Sequence, residues 1–236
     1  RFGVRMGLRY VKSLSKDRDW QPIAVARAEQ PFTAMTDFVR RTGLDDHRLR
    51  RLAEVGAFAA FEADRRSALW QVQGFGTLRN MPLPISAEDR LPAFRSLSKF
   101  QTINWDYQFS GHSTHGHPLE PLREMLMARG LPNAEMVLQM RDGQRVNFAG
   151  IVICRQRPST ASGVTFMTLE DESGFLNVVI WKQVFDEHVV LMKTASFLGV
   201  SGKLQIESQV AHLIAEQFWL PELMVHPETG GSRDFQ

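Results

Sequence analysis

Cysteine is nearly absent from this sequence, since Cys154 is the one thiol among 236 residues. A single cysteine excludes an internal disulfide framework and fits a reducing compartment, so we expect a cytoplasmic protein. Long apolar runs are also missing: the longest, such as Phe148 to Cys154, are far too short to cross a bilayer, and we predict no membrane association. The chain opens on Arg1 without an initiator Met or an apolar leader, and we expect it to be part of a longer protein.

Ligands for a metal ion are few as well. A structural zinc site uses four nitrogen or sulfur ligands, and no cysteine lies near the one histidine-rich stretch. That stretch holds Asp106 and three histidines, His112, His115 and His117. We therefore predict no metal site and no cofactor in this chain.

Familiar catalytic motifs are missing too. There is no glycine-rich loop of the kind that cradles a phosphate, and no Ser–His–Asp ordering. Paired carboxylates occur at Asp45–Asp46 and Asp171–Glu172, but a two-metal site needs carboxylates that converge on one pocket. The first pair precedes a predicted helix and the second lies in a predicted turn, where acidic residues are common for local reasons. We predict no catalytic residue here.

Positive charge is concentrated towards the start of the chain. The net charge is +2, but residues 1–70 hold 14 Lys and Arg against 9 Asp and Glu, a local charge of +5. The remaining residues hold 14 basic and 17 acidic side chains, a local charge of −3. A basic region suits contact with a phosphate backbone.

Residues 1–73 have the pattern of short helices joined in pairs by tight turns. Apolar side chains recur at helical spacing at Leu49, Leu52 and Val55, and Gly56–Ala57–Phe58 then turns the chain. The predicted helices are Val4–Tyr10, Trp20–Arg27, Phe38–Arg41, one that begins after Asp45–Asp46, and Asp64–Val72. Residues 74–144 form a linker and mixed connecting region, with a helix predicted near residues 119–129.

From residue 145 the periodicity changes from helical to alternating. The predicted strands are Arg145–Arg155, Val164–Glu170, Leu176–Trp181, Phe197–Gln205 and Val210–Leu220, with a helix over Val184–Met192. Three strands, a helix and two strands is the order of the OB fold, a five-stranded barrel whose helix follows the third strand. We assign residues 145–220 to this domain and residues 221–236 to a C-terminal tail.

Six segments resemble one known family in its own order. Arg5–Ser15 is similar to the family's first hairpin, and the others match its motifs "LxxLAxAGAF", "RRxALW", "DYxxxGxSxxxHP" and "RQRP…FMTLEDE". These other segments are Leu49–Phe58, Arg65–Trp70, Asp106–Pro118, Arg155–Pro158 and Phe166–Glu172. The family is the bacterial C-family DNA polymerases, most closely the C-terminal region of the error-prone branch, ImuC.

The resemblance implies an α+β multidomain chain: an N-terminal helix-hairpin-helix domain followed by the five-stranded OB-fold barrel. It implies the DNA-binding and partner-binding segment of a translesion polymerase of the DNA-damage response. At full length such an enzyme is a nucleotidyltransferase that uses Mg²⁺ in a palm domain, which nothing here resembles. It also implies two partners besides DNA: a companion protein, ImuB, and through it the sliding clamp.

Helix-hairpin-helix units bind duplex DNA through backbone N–H groups at the hairpin and nearby Lys or Arg side chains. The predicted DNA-binding residues are Lys12, Ser13, Ser15 and Lys16 at the first hairpin, and Gly56, Ala57, Arg65 and Arg66 at the second. The alternative is a pair of plain helical hairpins with a solvated basic face.

On the OB barrel, aromatic side chains could stack on unpaired bases while cations follow the strand. The predicted DNA- or partner-binding residues are Arg155, Arg157, Phe166, Phe175, Trp181 and Lys182. Residues 145–220 contain 6 Lys and Arg but 7 Asp and Glu, so a protein-docking barrel competes with a single-strand binder. A further alternative is a stand-alone architectural module that binds DNA junctions or single strands.

Overall fold

The computed structural model describes residues 6–79, 92–158, 163–207, 210–223, 225–230 and 232–235. They fall into two compact units, residues 1–112 and residues 113–236. The first unit is helical, and the second combines short helices with a β-barrel. The predicted order, a helical domain followed by an OB-type barrel, is confirmed.

The first unit begins with a short 3-10 turn, Leu8–Tyr10, and a π-helical turn, Lys16–Trp20, that runs directly into the first α-helix. Its α-helices are α1 (Gln21–Glu29), α2 (Met35–Thr42), α3 (Asp46–Glu54), α4 (Arg65–Arg79) and α5 (Lys99–Ser110).

Local signals in the sequence account for several of these helix ends. Helix α2 ends at Gly43, whose φ of +64° is a conformation that glycine adopts without strain. Asp45 caps α3 because its side chain accepts a hydrogen bond from the backbone N–H of Arg48 at 3.0 Å. Ser98 and Gln101 form a reciprocal capping box at the start of α5.

Apolar side chains from α1 to α4 form the core of this unit. Phe38 is central to it, because its ring meets Phe32 at 4.9 Å and Phe58 at 5.1 Å between centroids, both edge to face. The buried members are Ile23, Met35, Phe38, Val39, Leu44, Leu49, Leu52, Ala53, Phe58, Ala68 and Val72. The turn between α3 and α4 is therefore anchored by Phe58.

The second unit opens with a 3-10 turn, Glu120–Leu122, and the helices α6 (Arg123–Ala128) and α7 (Ala134–Leu138). The strands that follow are β1 (Arg145–Gln156), β2 (Thr165–Asp171), β3 (Gly174–Ile180), β4 (Phe197–Glu207), β5 (Val210–Trp219) and β6 (Arg233–Phe235). Helices α8 (Lys182–Glu187) and α9 (Val189–Thr194) lie between β3 and β4.

The first five strands close into a barrel because β1 is long enough to pair twice. Its residues 145–151 pair with β4 and its residues 151–156 pair with β2, both antiparallel. The order β2–β3–β5–β4–β1 then returns to β2, with β3 and β5 parallel. The short β6 adds to β1 in parallel at residues 154–156.

The barrel is filled by alternate residues of its strands together with Phe185 and Met192 from α8 and α9. A register shift between Ser201 and Gly202 marks a bulge in β5, where Glu216 is the extra residue opposite β4. A Cβ at Gly202 would lie 2.2 Å from the carbonyl oxygen of Ile214, so only glycine allows this close approach.

Three segments differ from the helices that the sequence predicts. The single helix expected over Val184–Met192 is two helices, because His188 adopts a non-helical backbone (φ −118°, ψ 23°) between them. The helix expected over Val4–Tyr10 is reduced, in the part the structure describes, to the turn Leu8–Tyr10, since Gly7 is extended. Helix α5 lies in the region expected to be mixed, and residues 80–91 of that region lie outside the described residues.

Among the described residues, no helix has both the length and the apolar character that crossing a membrane requires.

Candidate nucleic-acid interface

The first hairpin, residues 11–18, presents an uncapped helix start. Ser15 is extended (φ −98°, ψ 158°), and its side chain makes no capping hydrogen bond. Within the described residues, no acceptor is bonded to the backbone N–H groups of Lys16, Asp17 and Arg18. The helical run continues to Glu29, so the positive end of its macrodipole lies at these N–H groups. Unbonded N–H groups at the positive end of a helix form a site that binds a phosphate.

The shape of this hairpin is held by Asp19, whose carboxylate is 1% exposed. It accepts a hydrogen bond from the N–H of Ser15 at 2.5 Å and another from the Nε of Arg48. Burial alone would raise the pKa of Asp19, but the bonds from Ser15 and Arg48 outweigh it and lower the pKa. The carboxylate therefore stays charged and fixes the path of the chain into the helix.

The cations at the first hairpin differ in whether their side chains already make hydrogen bonds within the protein. The ammonium of Lys12 donates to the carbonyl oxygens of Tyr107 at 3.1 Å and Gln108 at 2.9 Å, which lie at the end of α5. Lys16 and Arg18 are exposed and have no bonding partner among the described residues. Arg18 was not among the predicted site residues, although its position two residues after Lys16 on a helix start is visible in the sequence.

Ser13 adopts a left-handed backbone conformation (φ +69°) in this hairpin. That conformation costs a residue with a Cβ roughly 1 kcal/mol, whereas glycine adopts it freely. We expect Ser13→Gly to raise the free energy of unfolding of the helical unit by about 0.5–1 kcal/mol, as measured by urea denaturation. The neighbouring Ser15→Gly is the control, since Ser15 is extended, and it is expected to give no gain.

The second hairpin, residues 55–64, presents no comparable set of N–H groups in the part of it that the structure describes. The N–H of Gly56 donates to Ala53 and that of Ala57 to Leu52, so both serve the end of α3. At the start of α4, the Asp64 carboxylate accepts from the N–H groups of Arg66 at 3.0 Å and Ser67 at 2.9 Å. These two N–H groups are therefore already bonded within the protein.

The two arginines that directly follow the second hairpin, at the start of α4, are bonded within the helical unit. Arg65 is 12% exposed and donates to the Asp106 carboxylate at 2.7 Å, while its guanidinium lies against Gly56. Arg66 donates to the carbonyl oxygen of Arg95 at 2.7 Å. Contact of these two side chains with DNA stays a prediction, but the bonds that they make support the fold.

On the barrel, β2 and β3 turn alternate side chains outward and define the barrel face. It carries Phe166, Thr168 and Glu170 from β2 and Phe175, Asn177 and Val179 from β3. Phe166 is 39% exposed and Phe175 is 55% exposed, so two of the predicted aromatics share one outward face. Burial, together with the neighbouring Asp171, raises the pKa of Glu170 on this face.

Two predicted cations of the barrel lie in different surroundings. Arg155 is 12% exposed and donates to Ser232 at 2.7 Å, to Asp234 at 3.3 Å and to the carbonyl of Ala195. It therefore fastens the C-terminal tail beside β1. Arg157 is exposed and lies over the ring of Phe185, with 5.1 Å to the centroid.

The last two predicted residues of the barrel lie where β3 meets α8. Trp181 is 55% exposed and directly follows the rung formed by Thr165 and Ile180, at the Phe166 end of the barrel face. Lys182 is exposed and pairs with Asp186 one helical turn later. An exposed pair of this kind contributes little to stability and remains available to a ligand.

The histidine-rich stretch has local roles. The ring of His112 meets Tyr10 edge to face at 4.9 Å, and the Nδ1 of His117 accepts from the N–H of Leu119 at 3.1 Å. Burial lowers the pKa of His117, partly offset by Glu172 and Asp171. In the described ranges, no group of three or more His, Cys, Asp and Glu is placed to hold a metal ion.

Two family models match this chain. A helix-hairpin-helix motif model matches residues 1–68, and an OB-fold nucleic acid binding domain model matches residues 146–220. The two matches cover the first hairpin, the second hairpin and the barrel face.

Curated relatives cover nearly the whole chain. An error-prone DNA polymerase of Caulobacter vibrioides is 40% identical over 221 residues, which is 91% of this chain and 20% of that protein. An error-prone DNA polymerase of Methylococcus capsulatus is 36% identical over 242 residues, which is 99% of this chain and 22% of that protein. The chain therefore spans about a fifth of the length of the relatives it matches.

Among solved structures, asparaginyl-tRNA synthetase from Pyrococcus horikoshii aligns with 38% of this chain and 22% of its own, at 20% identity and a TM-score of 0.33. A likeness at this level carries no argument about function.

Proposed function

We propose, from the homology of this chain with the error-prone DNA polymerases over more than nine tenths of its length, that it is the C-terminal DNA-binding segment of such a polymerase. The observation that carries the proposal is the uncapped helix start at the first hairpin, with Lys16 and Arg18 exposed beside it. Such a site takes a backbone phosphate without reading sequence, which suits an enzyme that follows any template.

In this proposal the barrel face takes the unpaired strand. Phe166 and Phe175 offer exposed rings on which bases can stack, and Arg157 and Lys182 supply exposed positive charge close to the barrel. The match of residues 146–220 to a nucleic acid binding family supports this role. The barrel is nearly neutral, so stacking rather than charge would dominate its affinity.

The polymerising chemistry belongs, in this proposal, to a part of the enzyme outside this chain. Mg²⁺ in such enzymes is held by converging carboxylates, and the described residues bring no such group together. We therefore derive no catalytic step from these residues. A partnership with ImuB, and through it with the sliding clamp, is part of the proposal and rests on the resemblance alone.

The test is the salt dependence of binding to a short DNA duplex. Removing one phosphate contact should reduce the slope of log K against log salt by about 0.9. We expect Lys16→Ala combined with Arg18→Ala to reduce the slope by about two and to weaken binding at low salt, measured by fluorescence anisotropy.

The control is Arg27→Ala, which removes an exposed cation from the far end of the same helical run. Its slope should fall by no more than a few tenths, because Arg27 lies in the last turn of α1, away from the uncapped N–H groups. Equal slopes for the double variant and the unaltered chain would remove the first hairpin from the proposed interface.

A protein-docking barrel is the second candidate, favoured by the near balance of charge over residues 145–220. It is distinguished by single-stranded DNA. If Phe175→Ala leaves the affinity for an oligonucleotide unchanged, the barrel face does not stack bases and the docking role gains support.

A further inference from the structure

The barrel face is organised into transverse rows that run across neighbouring strands. Strand register places Gln156, Phe166, Val179 and Ile214 on one row and Cys154, Thr168, Asn177 and His212 on the next. Phe175 lies beside Glu170 on the third row. An aromatic row, a polar row and a second aromatic row therefore follow one another along the strands.

The spacing of these rows suits an extended single strand. Residues two apart on a strand are separated by about 7 Å, so Phe166 and Phe175 lie about 14 Å apart along the strand direction. Stacked bases are about 3.4 Å apart, so two bases on these rings cannot be stacked neighbours. A base between them would lie over the polar row.

The polar row is held in a defined arrangement. The Oγ1 hydroxyl of Thr168 donates to the Oδ1 of Asn177 at 3.1 Å. Because Oδ1 is engaged in this way, the two N–H donors of the Asn177 amide remain for a ligand, and the residue is exposed. Beside it, the Nδ1 of His212 is buried without a hydrogen-bond partner among the described residues. A buried polar atom in this state is uncommon, and because it is buried, the exposed Asn177 amide rather than this nitrogen is the group that a ligand meets.

From this juxtaposition we propose that Asn177 reads the base held between Phe166 and Phe175 and prefers bases that carry a ring carbonyl. Thymine, cytosine and guanine offer a carbonyl oxygen to the amide donors, whereas adenine accepts only at ring nitrogens, and its N7 lies beside the N6 amino group, a donor that opposes the amide donors. Thr168 is the positioning residue, since its hydroxyl orients the amide. The inference rests on the proposed binding of single strands by the barrel face, and it adds a preference among bases that a purely stacking surface lacks.

The chain contains a matched control on another part of the barrel. Asn147 lies on the outward side of β1, and its Oδ1 accepts from the hydroxyl of Ser201 at 2.7 Å. It is an exposed asparagine paired with the hydroxyl of its rung partner, as Asn177 is with Thr168, but that partner belongs to β4 rather than to the two strands that carry Phe166 and Phe175. Asn147→Leu therefore reports the general effect of losing such an amide.

The experiment measures the affinity of the whole 236-residue chain for labelled thymidine and adenosine oligonucleotides of about twelve nucleotides. The quantity of interest is the ratio of the two affinities. We expect Asn177→Leu to lower this ratio about two- to tenfold, the worth of one hydrogen bond, and Asn147→Leu to leave it unchanged. Thr168→Val should lower the ratio in the same direction by less. Self-stacking of adenosine strands affects every variant equally and cancels in this comparison.

The outcomes separate this inference from the proposed function. Phe175→Ala should weaken binding to both oligonucleotides about tenfold, which tests stacking alone. If Phe175→Ala weakens binding but Asn177→Leu leaves the ratio as it was, the proposed function stands and the base preference is wrong. If no variant binds either oligonucleotide, or a protein ligand alone binds the face, both are wrong.

Discussion

Replacing Asp171 by alanine is expected to lower the free energy of unfolding of the second unit by about 3–5 kcal/mol. Its carboxylate is buried in the hairpin between β2 and β3 and receives donors from several elements. Arg123 reaches it at 3.1 Å and the N–H of Ala134, at the start of α7, at 2.8 Å. Within the hairpin, the N–H and hydroxyl of Ser173 and the N–H of Gly174 bond its other oxygen.

The loss is large because Asp171 joins elements that are distant in sequence. Without it, the Arg123 guanidinium, which also bonds Glu172, keeps a buried charge with fewer partners, and the start of α7 loses a bonded N–H. Urea denaturation followed by tryptophan fluorescence measures the change. Asp186→Ala is the control, since its pair with Lys182 is exposed and should be worth under about 1 kcal/mol. A similarly small loss of unfolding free energy for both variants would show that the Asp171 carboxylate does not stabilise the second unit through these bonds.

Replacing Arg65 by alanine is expected to destabilise the helical unit by about 3 kcal/mol while leaving the salt dependence of DNA binding unchanged. Its guanidinium pairs with Asp106, which is 6% exposed, across 41 positions of sequence, and joins α4 to α5. Loss of the guanidinium leaves that buried carboxylate with a weaker set of donors. Arg65→Lys keeps the charge but not the planar fork, so we expect an intermediate loss.

Arg50→Ala is the matched control for this prediction, because Arg50 is an exposed cation of α3 with no bonding partner among the described residues. Its effect on stability should lie within about 0.5 kcal/mol. Thermal unfolding and the salt titration are measured on the same samples. A reduced salt slope for Arg65→Ala without a loss of stability would instead make Arg65 a phosphate contact, as its sequence motif suggests.

Much of the fold could be predicted because the relevant signals are local. The Asp45 cap, the helical spacing of Leu49 and Leu52, and the alternation in β2 and β3 depend on residues a few positions apart. The capping box of Ser98 and Gln101 is also a local signal in the sequence, and it marks the start of α5. The break at His188 was not predictable from spacing, because the apolar pattern continues through it.

The candidate site was harder to predict because pairing between distant residues decides which cations are free. Lys12 bonds carbonyls 95 and 96 positions away, and Arg155 bonds the tail 77 and 79 positions away. Residue spacing does not predict such contacts. From the sequence alone, a Lys or Arg that bonds a distant residue cannot be told from one that is free. In the described ranges, Lys16 and Arg18 have no bonding partner. Lys12, Arg65, Arg66, Arg155 and Lys182 each have one.

We propose that this chain binds DNA through phosphate contacts at the first hairpin and base stacking on the barrel face. The most direct measurement is a salt titration of its binding to single-stranded and primed-template DNA. We predict binding to both at low salt, with log K falling linearly as log salt rises. On primed template, this fall should be less steep for the Lys16→Ala and Arg18→Ala double variant than for the unaltered chain. No binding at low salt, or affinity that does not change with salt, would contradict this claim.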